Sequence, residues 1–139
     1  MKNFKTNQEE FWAGEFGDKY INRNKSSELL ASNLNFFNSC LSNTNNLNSI
    51  LELGANIGMN LKALKFLFPK TNLSGVEINK KAHNELEKLI GSNNAYLDSI
   101  FDFNSSNKFD LTFTKGVLIH INPDKLNHVY EKLYKYSKK

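Results

Sequence analysis

The stretch SILELGANIGMN, residues 49–60, decides the fold of this chain. Its first residues are mostly apolar and predict a short buried strand, Gly54 and Gly58 predict a turn, and Met59 begins a helical pattern. Open α/β sheets bring a nucleotide close to the backbone at such a turn. A dinucleotide turn of the form G-x-G-x-x-G would have glycines at positions 54, 56 and 59, but Asn56 and Met59 occupy two of these positions. The stretch therefore predicts a nucleotide-binding turn that is not of the dinucleotide type.

The rest of the chain alternates between strand and helix patterns. Apolar runs predict strands over residues 50–53, 72–78, 94–97 and 109–114, and helical periodicity predicts helices over residues 59–68 and 80–90 and from Pro123 onward. Ser26 or Ser27 caps an earlier helix, and short helical pieces rich in aromatic residues precede it. Such alternation is typical of a parallel sheet wound by helices. In a chain of 139 residues we expect one core, with residues 1–25 as an aromatic lid on an α/β domain of residues 26–139.

Composition narrows the range of partners. The net charge of +4 comes from lysine, because Arg23 is the single arginine, and specific nucleic-acid readers rely on arginine forks. We therefore predict no specific nucleic-acid partner. No apolar run approaches the ~18 residues that span a bilayer, and no signal-peptide pattern begins the chain, so a cytoplasmic protein without a membrane partner is expected. The single cysteine, Cys40, argues against disulfides and against a metal site built from thiolates, and it is predicted to be a small core residue.

The turn fits the pattern acidic-x-G-x-G-x-G that is typical of methyltransferases, with Glu52, Gly54, Asn56 and Gly58 in its four places. The aminocarboxypropyl arm of S-adenosylmethionine is short and zwitterionic, so it needs backbone contacts and a carboxylate near its ammonium group rather than a pyrophosphate cradle. Asn56 can adopt the positive φ that a glycine would have allowed, and its amide can bond the ligand. The turn therefore favours S-adenosylmethionine as the cofactor, with S-adenosylhomocysteine as the product.

Residues that follow the next two predicted strands supply the other candidate contacts. Glu77 ends the second strand, where a carboxylate can bind both ribose hydroxyls. Asp98 and Ser99 follow the third strand and can bond the adenine amino group, while Ile78 and Ile100 can sandwich the ring. The alternatives are that Glu77 is an ordinary acid at a strand end and that Asp98 only caps its loop.

Longer segments of the sequence resemble a known family. They are FWAGEFGDKYINRN (residues 11–24), ILELGANIGMNL (50–61), GVEIN (75–79), LDSIFDF (97–103) and FDLTFTKGVLIHINPDKL (109–126). Together they resemble class I S-adenosylmethionine-dependent methyltransferases and, among these, the family called pseudaminic acid biosynthesis-associated methylases. The resemblance implies a Rossmann-like three-layer α/β sandwich with parallel strands in the order 3-2-1-4. It also implies a small-molecule methyl acceptor connected with nonulosonic acids or other surface sugars.

The chain departs from this family after its fourth strand. The family's sheet order is 3-2-1-4-5-7-6, so the resemblance implies that the C-terminal strands 5 to 7 are lacking here. The fourth strand would then be an apolar edge, and such edges invite pairing with another chain. We therefore expect a homodimer, or a partner chain that completes the sheet.

The segment TKGVLIHIN, residues 114–122, lies where the acceptor would meet the methyl group. His120 is the candidate general base there, although a histidine in an apolar run is also a common packing residue. Lys115 can orient an acidic acceptor, balance a carboxylate of the cofactor or lie in solvent. Tyr20, Arg23 and Asn24 are expected to form a lid over the cofactor, with Arg23 pairing with its carboxylate, or to belong to a helix that packs through its aromatic residues.

Two functional hypotheses follow from these residues. The first is a methyltransferase that acts on oxygen or nitrogen of a small polar acceptor. The second is a module that binds S-adenosylmethionine or S-adenosylhomocysteine, is catalytically inactive and works as a subunit or regulator. An NAD-linked oxidoreductase is disfavoured by the spacing of the turn.

Overall fold

The predicted strands form one parallel sheet in the computed structural model, which describes residues 4–138. The strands are β1 (Ser49–Leu53), β2 (Asn72–Glu77), β3 (Ala95–Leu97) and β4 (Leu111–Phe113). Within the described residues the sheet has four strands in the order β3-β2-β1-β4, as predicted. In the central strand β1, Ile50 lies opposite Leu73 of β2 and opposite Leu111 of β4. The chain adds β2 and β3 on one side of β1 and then returns to add β4 on the other, so a topological switch point lies between β1 and β4.

Helices connect and cover these strands. They are α1 (Asn7–Ala13), α2 (Glu15–Tyr20), α3 (Ser27–Cys40), α4 (Met59–Leu67), α5 (Lys80–Ile90) and α6 (Leu126–Tyr136). Ser26 caps α3 by accepting the Leu29 N–H, and Gly91 ends α5 with a φ of +86°. Pro123 begins a tight 3-10 turn instead of the last α-helix, which starts at Leu126. No helix among residues 4–138 is both long and apolar enough to cross a bilayer.

The sheet lies between two apolar layers. Ile50 points to one face and packs in a cluster that includes Phe37 of α3, Leu64 of α4 and Leu86 of α5. Leu51 points to the opposite face, where the cluster also contains Leu53, Val76, Phe103, Phe109 and Tyr136 of α6. Alternate residues of a strand point to opposite faces, so burial of both Ile50 and Leu51 requires a layer on each side. The three-layer α/β sandwich predicted from the sequence is confirmed.

The expectation that Cys40 is a core residue is wrong. Its thiol is free, and the residue is exposed. The apolar side of α3 runs through Leu30, Leu34 and Phe37 to Leu41, all of which belong to or pack against the core. Cys40 lies beside this stripe at the last residue of the helix. A helical rotation of ~100° per residue therefore places the thiol outside the packed face.

The outer edge of the sheet begins next to the C-terminal segment. The Asp110 N–H points to β1 and donates to the Ser49 carbonyl at 3.0 Å. The neighbouring Phe109 faces outward, where its N–H donates to the Tyr136 carbonyl and its carbonyl accepts the Lys138 N–H. Beyond this bridge, Leu111–Phe113 has no strand on its outer side among the described residues. The predicted edge position of the fourth strand is therefore confirmed. Phe109, which precedes this strand, is paired on its outer side with the C-terminal segment near Ser137.

Helices α1 and α2 lie across the carboxyl ends of β2 and β3. Ser99, which follows β3, donates its hydroxyl to the carboxylate of Glu9 in α1. Asn79, which follows β2, donates its side-chain amide to Asp18 Oδ1 of α2 at 2.9 Å and to the Trp12 carbonyl of α1 at 3.3 Å. Glu9, Ser99 and Asn79 are buried. Polar contacts of buried side chains therefore hold the N-terminal helices over this end of the sheet.

Candidate functional site

A cavity of about 280 Å³ opens at the carboxyl ends of the strands, beneath α1 and α2. Most site residues predicted from the sequence line it: Tyr20, Asn24, Gly54, Asn56, Glu77, Ile78, Asp98, Ser99, Ile100, Lys115 and His120. Among the described residues that were predicted, Arg23, Glu52 and Gly58 are outside the lining. The cavity lies at the place where parallel α/β sheets bind ligands, and its volume is near the lower end for small-molecule sites.

The turn after β1 has the conformation that its sequence predicts. Gly54, Asn56 and Gly58 have φ values of +78°, +50° and +84°. The positive φ expected for Asn56 is therefore present, and its own side-chain oxygen accepts the Ile57 N–H at 2.8 Å. A Cβ on Gly54 would lie 2.7 Å from Val117 Cγ2 at the cavity wall. A Cβ on Gly58 would lie 2.8 Å from side-chain carbons of α5, so this glycine serves helix packing behind the cavity.

Glu77 lies at the end of β2 and connects two loops of the cavity. Its Oε2 accepts the Asn56 N–H at 2.7 Å, and its Oε1 accepts the Asn79 N–H at 2.7 Å. Burial raises the pKa of the Glu77 carboxyl, while the backbone N–H groups of Asn79 and Asn56 oppose that rise. Each carboxylate oxygen has two acceptor sites, so Glu77 can still accept hydroxyl donors from a ligand.

The loop after β3 forms the opposite end of the cavity. Asp98 Oδ1 accepts the Ser99 N–H at 2.9 Å, which holds the loop as the Asx-type alternative anticipated for this residue. Ser99 Oγ accepts the Phe101 N–H at 3.0 Å while it donates to Glu9. The side chains of Ile100 and Phe101 add apolar lining here. This end of the cavity therefore combines carboxylates with an apolar wall, which suits a planar base that carries an amino group.

Glu52 lies behind the glycine turn and is fully buried. The Asn60 side-chain amide, which lines the cavity, donates to Glu52 Oε1 at 2.6 Å. Glu52 Oε2 is a buried oxygen without a hydrogen-bond partner among the described residues. Burial raises the pKa of Glu52 to about 8, against the opposing effects of Asn60 and Lys115. At neutral pH the folded protein therefore retains the Glu52 proton, and an unpartnered polar oxygen lies behind the glycine turn.

The loop after β4 supplies the last part of the lining. Lys115 Nζ donates to Asn33 Oδ1 of α3 at 3.1 Å, so this lysine is tied to a buried asparagine and is not a freely solvated side chain. The His120 ring lies 4.7 Å from the Trp12 ring, and Trp12 also packs edge-on against Tyr20 at 5.1 Å. These three aromatic side chains belong to the cavity lining. They form an aromatic cluster that joins α1 and α2 to the loop after β4.

Arg23 differs from the other residues expected in the lid. Tyr20 and Asn24 reach the cavity, whereas Arg23 is exposed, and its guanidinium carbon lies 6.0 Å from the Tyr20 ring centre on the outside. The 3-10 turn Ile21–Asn24 buries Ile21 and turns Arg23 toward solvent. The structure therefore brings two of the three predicted lid residues to the site.

Several lining residues were not found by sequence reasoning. Glu9 and Trp12 of α1, Asn33 of α3, Asn60 of α4 and Asn79 after β2 all line the cavity. One local signal existed for Glu9, because Thr6-x-x-Glu9 is a capping box, which is present in the structure. The other contacts join parts of the chain that are far apart in sequence, and no local pattern predicts them. The described residues contain no group of three or more His, Cys, Asp and Glu side chains that could hold a metal ion.

Comparison with known proteins shows which solved structures share this fold. No protein-family model and no curated protein sequence matches the chain. The sugar N-methyltransferase KedS8 from Streptoalloteichus sp ATCC 53650 is similar with a TM-score of 0.67 at 17% identity, over 91% of this chain and 50% of that one. The plantazolicin methyltransferase BpumL in complex with SAH has a TM-score of 0.65 at 17% identity, over 94% and 53% of the two chains. DesVI of Streptomyces venezuelae has a TM-score of 0.66 at 14% identity, over 97% and 55%.

These similarities establish the class of fold. The chain spans about half the length of the solved structures it matches. Its sheet order matches the N-terminal half of Rossmann-like methyltransferase folds. Identities of 14–17% show a shared fold and do not by themselves transfer a substrate.

The residues present fit an adenosyl sulfonium cofactor. Gly54 lines the cavity with a positive φ, Glu52 has an unpartnered buried oxygen behind the same turn, and Glu77 ends the neighbouring strand. The donors and acceptors are carboxylates and backbone groups rather than a row of N–H groups for a pyrophosphate. This chemistry suits a zwitterionic arm and a ribose.

Proposed function

We propose that this chain binds S-adenosylmethionine and takes part in methyl transfer to oxygen or nitrogen of a small polar acceptor. One observation carries the proposal: the cavity brings together the glycine turn after β1, the carboxylate that ends β2 and the Asp98–Ser99 loop after β3. The similarity to methyltransferases of known structure supports the same class.

In this proposal each loop binds one part of the cofactor. Backbone groups at Gly54 and Asn56 would contact the aminocarboxypropyl arm, with Glu52 as the buried countercharge to its ammonium group. Glu77 would accept hydrogen bonds from the ribose hydroxyls. Asp98 and Ser99 would bond the adenine, with Ile78 and Ile100 beside its faces, since these residues line the cavity. When bound, the cofactor supplies a methyl group on a positively charged sulfur.

The proposed acceptor side is the aromatic end of the cavity. His120 lies there against Trp12, where it can take a proton from a hydroxyl or ammonium acceptor. Trp12 and Tyr20 line this end and would shield the transfer step from solvent. Lys115 lies on the same side, tied to Asn33, and can orient an acidic group of the acceptor.

A sugar-like acceptor is the finer part of the proposal. The resemblance to pseudaminic acid biosynthesis-associated methylases suggests a nonulosonic acid or another surface-sugar metabolite. The structural similarity to KedS8, described as a sugar N-methyltransferase, points to the same chemical class. An acidic sugar would match Lys115 near the proposed acceptor end of the cavity.

The first test is calorimetric titration of S-adenosylhomocysteine into the 139-residue chain. We expect micromolar binding and a loss of roughly 100-fold or more in Glu77→Ala, because two ribose donors would lose a charged acceptor. Glu77→Ala also leaves the Asn56 and Asn79 N–H groups without their acceptor, so Glu77→Gln, which keeps one carbonyl oxygen, is measured beside it.

Glu85→Ala is the matched control for that titration, because Glu85 is a glutamate that pairs with Lys88 on the surface of α5 and lies outside the cavity lining. It should bind like the unmodified chain. A folded, unmodified chain that does not bind S-adenosylhomocysteine would overturn the proposal.

The second candidate function is a module that binds the cofactor and is catalytically inactive. Transfer of a labelled methyl group from S-adenosylmethionine to small molecules of a cell extract separates the two. Incorporation that Glu77→Ala abolishes supports the enzyme. Cofactor binding without incorporation in any extract supports the module.

We also propose that the outer edge of β4 pairs with a second copy of this chain. Leu111–Phe113 has no outer neighbour among residues 4–138, and its side chains are half-buried and include two large apolar residues. Such an edge favours strand pairing. Sedimentation of the unmodified chain should therefore show a dimer that dissociates on dilution. A monodisperse monomer at high concentration in the unmodified chain would contradict this proposal.

A further inference from the structure

Glu9 is a buried carboxylate at the end of the cavity formed by the loop after β3. The residue is 8% exposed, and it lines the cavity together with Ser99 and Phe101. No ion pair with Glu9 exists among the described residues, since the nearby Lys5 ammonium pairs with Asp102. A carboxylate that is buried without a cation must be stabilised by hydrogen-bond donors.

Among residues 4–138, the donors around Glu9 leave one acceptor site open. Glu9 Oε2 accepts two backbone donors, the Lys5 N–H at 2.6 Å and the Thr6 N–H at 3.1 Å. Glu9 Oε1 accepts the Ser99 hydroxyl. A carboxylate has about four acceptor sites, two on each oxygen, so the open site is on Oε1. This is the oxygen that is held beside Ser99, at the cavity end proposed for adenine.

The open acceptor favours one kind of group on a bound base. An exocyclic amino group can donate to Glu9 Oε1, whereas a carbonyl at the same ring position would bring two acceptors together. Buried sites that are built to accept a hydrogen bond discriminate strongly against analogues that lack the donor. Asp98, in contrast, is only partly buried, and its Oδ1 accepts a hydrogen bond from the Ser99 N–H of its own loop.

We propose that Glu9 of α1 reads the exocyclic amino group of the adenine ring and sets the preference of the site for adenine. This inference rests on the proposed function, because it takes the adenosyl group to lie in this cavity. It gives the N-terminal helix a specific role in ligand recognition, beyond that of a cover. Ser99 then acts as a positioning residue, because its hydroxyl fixes Glu9 Oε1 beside the loop.

Glu9→Gln tests this assignment with little change of structure. Glutamine replaces glutamate in capping boxes, so the backbone bonds at Thr6 can be kept. The new amide group can donate to a carbonyl, which the carboxylate cannot. The probes are S-adenosylhomocysteine and S-inosylhomocysteine, which carries a carbonyl in place of the adenine amino group. Glu10→Gln is the matched control, because Glu10 is the neighbouring glutamate, is exposed and lies outside the lining.

The ratio of the two dissociation constants is the measured quantity. We expect the unmodified chain and Glu10→Gln to prefer S-adenosylhomocysteine by roughly 10-fold to 100-fold, and Glu9→Gln to abolish or reverse this preference. A ratio that is unchanged in Glu9→Gln, with both ligands weakened equally, would show a structural role and overturn the inference. A ratio that instead changes in Asp98→Asn would assign the reading to Asp98 and also overturn it.

The same titrations separate this inference from the proposed function. Binding of S-adenosylhomocysteine with a ratio that does not depend on Glu9 would refute the inference and leave the proposed function supported. A folded, unmodified chain that binds neither probe would refute both.

Discussion

Gly17→Ala is expected to destabilise the fold by about 2–4 kcal/mol, because a buried overlap cannot be relieved without moving a helix. A Cβ on Gly17 would lie 1.9 Å from the Trp12 carbonyl oxygen and 2.9 Å from Asn79 Nδ2. The first atom belongs to the backbone of α1, so α1 and α2 would have to separate. The second is the amide that ties these helices to the loop after β2. Urea unfolding followed by circular dichroism measures the loss.

The same substitution should also weaken ligand binding, because Trp12 and Tyr20 line the cavity from these helices. Gly91→Ala is the control: this glycine has a φ of +86°, has no atom within 4 Å of an added Cβ and lies outside the cavity lining. Only backbone strain of about 1–2 kcal/mol is expected there. A Gly17→Ala protein with the stability of the unmodified chain would show that α1 and α2 do not pack as described.

The order of the elements could be predicted from the sequence because its causes are local. Apolar runs, the cap at Ser26 and the glycine at Gly91 act within a few residues, and each is where the pattern indicated. The sheet order followed from the resemblance and was confirmed. The start of the last helix was misplaced by three residues, because Asn122 caps a 3-10 turn that precedes Leu126.

The site could be predicted only in part. Parallel strands bring their carboxyl ends to one edge, and Glu77 at the end of β2 and Ser99 after β3 line one cavity there, as this rule predicts. The contacts of Glu9 with Ser99 and of Asn79 with Asp18 span 90 and 61 residues of sequence. Only packing of the N-terminal helices onto the sheet creates them. The same packing leaves Arg23 exposed to solvent, and the spacing of residues in the sequence does not predict this.

Glu52→Gln is expected to stabilise the protein by about 3–5 kcal/mol above pH 8, because it removes a carboxylate that is fully buried in β1. Burial raises the pKa of Glu52 to about 8 from its ordinary value of 4.5. Glutamine keeps an oxygen that can accept the Asn60 amide, as Glu52 Oε1 does at 2.6 Å. The substitution therefore removes the charge while it keeps the hydrogen bond.

The pH dependence follows from the direction of this shift. Between pH 4.5 and about 8 the folded protein retains the Glu52 proton, whereas the unfolded chain has released it. Stability must therefore fall as pH rises through this window, by up to about 1.4 kcal/mol per pH unit for one group. The raised pKa of Glu77 contributes in the same direction and remains in the variant. Glu52→Gln should thus flatten the pH profile without abolishing its slope.

Urea unfolding at pH 5, 7 and 8.5 measures this difference, with Glu85→Gln as a surface control. The unmodified chain and Glu52→Gln should have similar free energies of unfolding near pH 5, where Glu52 is protonated in the folded state. The two free energies should diverge as pH rises. Equal slopes would mean that Glu52 is ionised and paired, contrary to its buried, unpartnered Oε2. Titration with S-adenosylhomocysteine at pH 8.5 gives the opposite effect: if Glu52 is the countercharge of the ligand ammonium, the more stable variant should bind more weakly. A buried carboxylate that lowers stability and raises affinity at the same pH is an expected property of a binding site.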